Sequence, residues 1–134
     1  MPYRYMLDTN TVSQAVSKRS PHVLRHLRKW PPRDLCVSAI AFGEVQFGLA
    51  DKPEATRLAE TTADLFAEID VLPWSEETAR VYGQLRAGMK RSGKSLSPLD
   101  MLIAAHALAT GATLVTSDRA FRHVPNLDID DWSV

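Results

Sequence analysis

Five short apolar runs separated by helical patterns constrain this chain more than any other feature. The runs lie at residues 3–7, 35–38, 69–72, 112–116 and 127–129, and they read as strands. A first short helix is expected over 11–17. Ser20 and Pro21 open a second, with Val23, Leu24, Leu27 and Trp30 on one side. A third covers 39–50 and carries Ile40, Val45, Phe47 and Leu49. Pro53 opens a fourth, which runs through about residue 67. Ser75 caps a fifth, with Glu76 and Glu77 in its first turn, that ends near Ser92 and Gly93. Ser97, Pro98 and Asp100 start the last, and Gly111 ends it. Strands alternating with helices predict an α/β three-layer sandwich: a central, mainly parallel sheet of four to five strands flanked by helices. Runs such as TLVT and LCVS are apolar throughout, as buried parallel strands are.

The 134 residues form one domain, 1–134, large enough to bury a core. With 45% hydrophobic and 24% charged residues, the composition is that of a soluble globular protein. MPYRYMLDTN has no long apolar segment, so no signal peptide is expected. No run approaches the roughly 18 apolar residues of a membrane span. The single Cys36 lies in LCVSAI and reads as a buried, inert thiol. A cytoplasmic protein without membrane association fits these features.

The formal net charge is zero, from 16 basic and 16 acidic residues, but the signs are segregated. Lys18, Arg19, Arg25, Arg28, Lys29 and Arg33 occupy 18–33 without an acid. Arg80, Arg86, Lys90, Arg91 and Lys94 do the same over 80–94. Such stretches let a polyanion bind one face, although a solvated helix surface has the same composition.

Four acids stand at the ends of apolar stretches: Asp8 in YMLDTN, Glu44 in VSAIAFGEV, Asp100 in SPLDMLIAAHA and Asp118 in TLVTSD. A carboxylate beside a buried strand or on a core-facing helix is costly to desolvate. Asp8 and Asp118 follow strands, and ligands of open parallel sheets bind beyond the carboxyl ends of the strands. Carboxylates brought together repel unless a cation joins them. All-oxygen ligation suits Mg²⁺, with Mn²⁺ able to substitute. Such an ion supports phosphodiester hydrolysis without a protein nucleophile. Each acid also has a plainer role open to it. Asp8 could cap a helix, Asp118 could cap the segment RAF, and Ser97 with Asp100 could form a capping box. Glu44, in IAFGEVQFG, has the weakest structural excuse. Capping and ligation are compatible.

On these residues the chain resembles PIN-domain ribonucleases, and specifically VapC-type toxins of type II toxin–antitoxin pairs. The matching segments are YMLDTNTVSQAV, CVSAIAFGEVQFGL, LSPLDMLIAAHALATGATLVTSDRAF and VPNLDIDDW, which span nearly the whole sequence. The resemblance implies a Mg²⁺-dependent endoribonuclease with an RNA substrate, a cognate VapB-like antitoxin that inhibits it, and a homodimer. It implies catalytic and metal-holding roles for Asp8, Glu44, Asp100 and Asp118. Asn10 matches the polar position after the first acid, and Thr116 or Ser117 the polar position near the last. Arg86, Lys90, Arg91 and Lys94 are candidates for RNA contact. The competing expectation is a catalytically inactive PIN-like module that binds RNA or protein.

Three other features attract notice. GMKRSGKS (88–95) fits the P-loop pattern, but a P-loop needs a strand before it, and the preceding residues read as a helix. His22 and His26 are four apart with no acid nearby, a poor zinc site. His106 in AAHALA reads as a hydrogen-bonded core residue, and Trp132 as a packing anchor.

Overall fold

The computed structural model describes residues 3–134. Its strands are β1 (Tyr5–Leu7), β2 (Leu35–Ser38), β3 (Asp70–Leu72), β4 (Thr113–Val115) and β5 (Ile129–Asp130). Its helices are α1 (Thr9–Ser17), α2 (Pro21–Lys29), α3 (Ala39–Ala50), α4 (Thr56–Glu68), α5 (Glu76–Arg91) and α6 (Pro98–Thr110). The sheet order is β3-β2-β1-β4-β5, and every neighbouring pair is parallel. Met6 is flanked by Cys36 and Leu114, and Leu7 by Val37 and Val115. Right-handed crossovers put α1–α4 on one face and, because the connection from β3 to β4 runs back across the sheet, α5 and α6 on the other. The expected three-layer α/β architecture is therefore present, with five strands and no antiparallel pair among the described residues.

The helix starts follow local chemistry. Ser20, Ser38, Ser75 and Ser97 each accept a backbone N–H of the first turn. Lys94 N–H bonds back to Met89 and Gly93 lies at φ 72°, so α5 ends in a left-handed turn. Gly111, at φ 76°, ends α6 in the same way. Two expectations shift. The first helix begins at Thr9 rather than residue 11, because Asp8 caps it directly from the end of β1. The fourth begins at Thr56, not Pro53. The Ala55 N–H bonds to the Lys52 carbonyl, so residues 52–55 close a turn first, and no side chain caps α4.

Met6, Leu7, Val37, Leu114 and Val115 are fully buried on the sheet, and Ala104, Ala105 and Ala107 are fully buried on α6, which packs on β2 and β4. Each buried Leu or Val side chain contributes about 1.5–3 kcal/mol. Cys36 is fully buried, and burial pushes its thiol pKa up to about 12, with the Asp70 charge adding to the effect. Trp132 anchors the C-terminal segment. It is 1% exposed, packs edge-on to Tyr5 and is stacked on His26. No helix among the described residues is long and apolar enough to cross a membrane.

Candidate active site

Parallel pairing sends all five carboxyl ends to one edge. The connections diverge between β1 and β4, because β1 leads towards β2 and β4 leads towards β5. That divergence is where open parallel sheets form a crevice. Asp8 follows β1 there, and Thr116-Ser117-Asp118 follows β4.

Asp8 is 6% exposed and lies at the centre of the local hydrogen bonding. Its backbone N–H donates to the Val115 carbonyl at 3.1 Å, extending the β1–β4 ladder by one residue. Its Oδ1 accepts the Thr11 N–H at 2.8 Å and caps α1. The Thr11 hydroxyl donates to Val115 O at 3.1 Å, which fixes the start of the helix against β4. Burial raises the Asp8 pKa above the ordinary carboxylate range. Hydrogen bonds from the Thr116 side chain and from Thr11 pull it the other way, and the nearby Asp100 charge raises it further. Asp100, in the first turn of α6, is therefore the acid that Asp8 feels.

The other two acids join through threonines. The Asp118 N–H donates to Thr116 Oγ1 at 3.0 Å, and Asp118 Oδ1 caps the following 3-10 turn by accepting Ala120 N–H at 2.9 Å. The Thr9 hydroxyl donates to Glu44 Oε1 at 2.6 Å, joining α1 to α3 immediately beside Asp8. Asp8 and Asp100 are thus close enough to interact, whereas Asp118 and Glu44 line separate cavities, and among the described residues no group of three or more His, Cys, Asp or Glu is placed to hold a metal ion. The donors are all oxygen, which fits a hard divalent cation rather than a soft metal. A buried carboxylate facing a second one is what such a cation stabilises.

Asn10 is exposed in the first turn of α1. Ser117 is exposed and lines a cleft of about 260 Å³ with Thr116, Asp118, Arg119, Arg122 and Asp130. Arg86, Lys90, Arg91 and Lys94 are all exposed; all but Arg91 line a single cavity. Thr9 was not singled out from the sequence, since its role depends on a partner 35 residues away. Arg119 and Arg122 were also missed, although SDRAFR places both just after Asp118.

The remaining sequence features resolve structurally. Gly88–Arg91 is the last turn of α5, so no strand precedes the P-loop-like motif. The His22 ring contacts Arg25, and His26 stacks on Trp132, so the pair makes no metal site. His106 is 3% exposed, with Nδ1 2.8 Å from the Ser38 hydroxyl.

A family profile described as PIN domain matches residues 5–127. Over 131 residues the chain is 30% identical to Ribonuclease VapC2 of Rickettsia felis, covering 96% of this chain and 97% of that protein. It is 29% identical over 130 residues to the tRNA(fMet)-specific endonuclease VapC of Salmonella typhimurium, covering 96% and 98%. Among solved structures, VapBC2 of Rickettsia felis bound to a promoter DNA fragment superposes with a TM-score of 0.88 at 28% identity, covering 96% of this chain and 98% of that one. DNA-bound VapBC of Salmonella typhimurium gives 0.89 at 28% identity, covering 97% and 98%. Matches of this extent mean that the chain belongs to the PIN-domain family, among its VapC-type members.

Proposed function

We propose that this protein is the toxin of a type II toxin–antitoxin pair, a Mg²⁺-dependent endoribonuclease acting in the cytoplasm and held inactive by a cognate antitoxin. The VapC ribonucleases and VapBC complexes to which it is similar support that reading. The observation that carries it within the molecule is Asp8, buried at the β1–β4 divergence, where it caps α1 and lies close enough to Asp100 for that charge to raise its pKa further.

Asp8, Asp100, Asp118 and Glu44 would hold the ion, directly or through water. The chemistry that Mg²⁺ or Mn²⁺ supplies when bound is neutralisation of phosphate charge and a lowered pKa for the attacking water. Asp8 keeps its orientation because its Oδ1 accepts the Thr11 N–H on the protein side. Thr9 holds Glu44 towards the same edge. Thr116 ties Asp118 to the Asp8 side of the crevice. Attack of water on phosphorus, in line with the departing 3′ oxygen, leaves a 5′-phosphate on one fragment and a 3′-hydroxyl on the other. A homodimer is part of this reading.

Cleavage of RNA is measured with Mg²⁺, with EDTA, and in Asp8→Asn and Asp100→Asn. Cleavage is expected only with Mg²⁺ and the native acids. Activity that survives both EDTA and the substitutions removes the nuclease assignment. RNA binding without cleavage at any Mg²⁺ or Mn²⁺ concentration selects the inactive-module reading instead. Co-expression with a cognate antitoxin is expected to yield a stable complex without cleavage.

A further inference from the structure

The P-loop-like stretch keeps a function after nucleotide binding of the P-loop kind is set aside. Arg86, Lys90, Gly93, Lys94, Ser95, Leu96 and Met101 surround one cavity of about 390 Å³. Three of these residues are cations and none is an acid. Among the described residues the single ion pair is Arg80 with Glu76, so none of the three cations is neutralised by a neighbour. Met101 adjoins Asp100 in sequence and lines the cavity, so the cavity abuts the turn of α6 that carries Asp100.

A smaller cavity of about 100 Å³ shares Arg86, Leu96 and Met101 and adds Tyr82 and Pro98. Arg86 Nη1 donates to the Tyr82 hydroxyl at 2.8 Å, and its guanidinium carbon lies 6.0 Å from that ring's centroid. Tyr82 is braced edge-on by Trp74, whose Nε1 donates to the Leu102 carbonyl of α6 at 3.0 Å. A cationic hollow therefore runs into a supported aromatic and apolar floor.

The backbone decides what kind of anion this hollow suits. A P-loop cradles phosphate with free amides. Here the Ser92, Gly93 and Lys94 N–H groups all donate to carbonyls of the last turns of α5. That leaves the side-chain cations as the main groups to meet an anion, which is how a groove tracks a nucleic-acid backbone. An aromatic face beside that charge suits an unpaired base.

We propose that the α5–α6 turn is a subsite for single-stranded RNA, with Arg86, Lys90 and Lys94 on backbone phosphates and Tyr82, Leu96 and Pro98 under one base. It rests on the nuclease reading and deepens it by supplying the arm that holds the strand beside Asp100.

Binding of a fluorescently labelled single-stranded RNA is measured in EDTA over a range of salt concentrations, alongside wild-type cleavage in Mg²⁺. Arg86→Gln, Lys90→Gln and Lys94→Gln combined are expected to weaken binding about tenfold or more. They are expected to flatten the slope of log affinity against log salt by about 2. Arg86→Lys, Lys90→Arg and Lys94→Arg combined are expected to restore both. Tyr82→Leu is expected to weaken single-strand binding roughly tenfold with the slope unchanged. Melting temperatures of all variants are read in parallel, so that a loss of fold is not counted as a loss of contact. If wild type cleaves RNA while the triple Gln variant binds it with native affinity and slope, the subsite is overturned alone, whether or not antitoxin binding is also lost. If wild type neither binds nor cleaves RNA, the nuclease reading fails and the subsite with it.

Discussion

The His106 ring and the Ser38 hydroxyl meet at 2.8 Å with both residues buried, tying the middle of α6 to the head of α3. Ser38 Oγ already accepts the Ile40 N–H, so its own proton is free for His106 Nδ1. Ser38→Ala removes a helix cap and leaves Nδ1 buried without its partner. A loss of about 2–3 kcal/mol is expected in urea unfolding. A loss within experimental error would mean that the contact contributes nothing.

The same pair gives stability a pH dependence. Burial lowers the His106 pKa from its ordinary value near 6.5. The unfolded chain therefore takes up this proton first as pH falls. The stabilising contribution is complete above about pH 6.5 and is lost as pH drops from there through the lower folded value. Between pH 7.5 and pH 5, wild type should lose more thermal stability than His106→Gln. Equal losses would remove His106 as the source.

Asp8→Asn separates stability from activity. Asn caps a helix as well as Asp, so the bond from Thr11 N–H has an acceptor in either case. The substitution removes a charge that is buried and faces Asp100. In EDTA the variant is expected to melt at or above the wild-type temperature while RNA cleavage is lost. A clearly lower melting temperature would mean that the charge stabilises the fold.

Thr9 and Glu44 test the α1–α3 link. Thr9→Val keeps the side-chain shape but withdraws the hydroxyl from Glu44 Oε1. A fall of roughly 10–100-fold in Mg²⁺-dependent cleavage is expected. Glu44→Gln should leave the fold intact and abolish cleavage. Retained cleavage in Glu44→Gln would take Glu44 out of the site, and native cleavage in Thr9→Val would reduce its hydrogen bond to a structural one.

Trp132→Ala should cost about 3–5 kcal/mol, because the indole is 1% exposed between Tyr5 and His26. Urea unfolding of the variant measures it. A loss below about 1 kcal/mol would show that the C-terminal segment is not anchored by this ring.

The layering was legible in the sequence because buried parallel strands are apolar on both faces, and LCVS and TLV stand out for that reason. Helix starts were legible where a serine side chain makes the cap. The start of α4 was not, since a backbone turn closes before it and Pro53 belongs to that turn. Asp8 and Asp118 could be placed at the site because a strand end projects into the crevice by topology alone. The bond between Thr9 and Glu44 could not, nor the one between Ser38 and His106, because side-chain partners 35 and 68 residues apart depend on how helices settle on the sheet. The basic residues of 86–94 were visible as a charge run. That Arg86, Lys90 and Lys94 turn into one hollow and Arg91 does not is a matter of helical phase and of the left-handed turn at Gly93.

Asp100 rides on α6, whose Ala104, Ala105 and Ala107 are fully buried and whose His106 is tied to Ser38. Small side chains leave little depth between such a helix and its neighbours, and a densely packed interior has no slack to absorb a partial slide. An inhibitor of the proposed nuclease that gripped the outer surface would therefore have little lever on this carboxylate. It would act as a stopper, filling the crevice from outside while the acids stayed where the fold put them. Its release would then restore the site without any rebuilding.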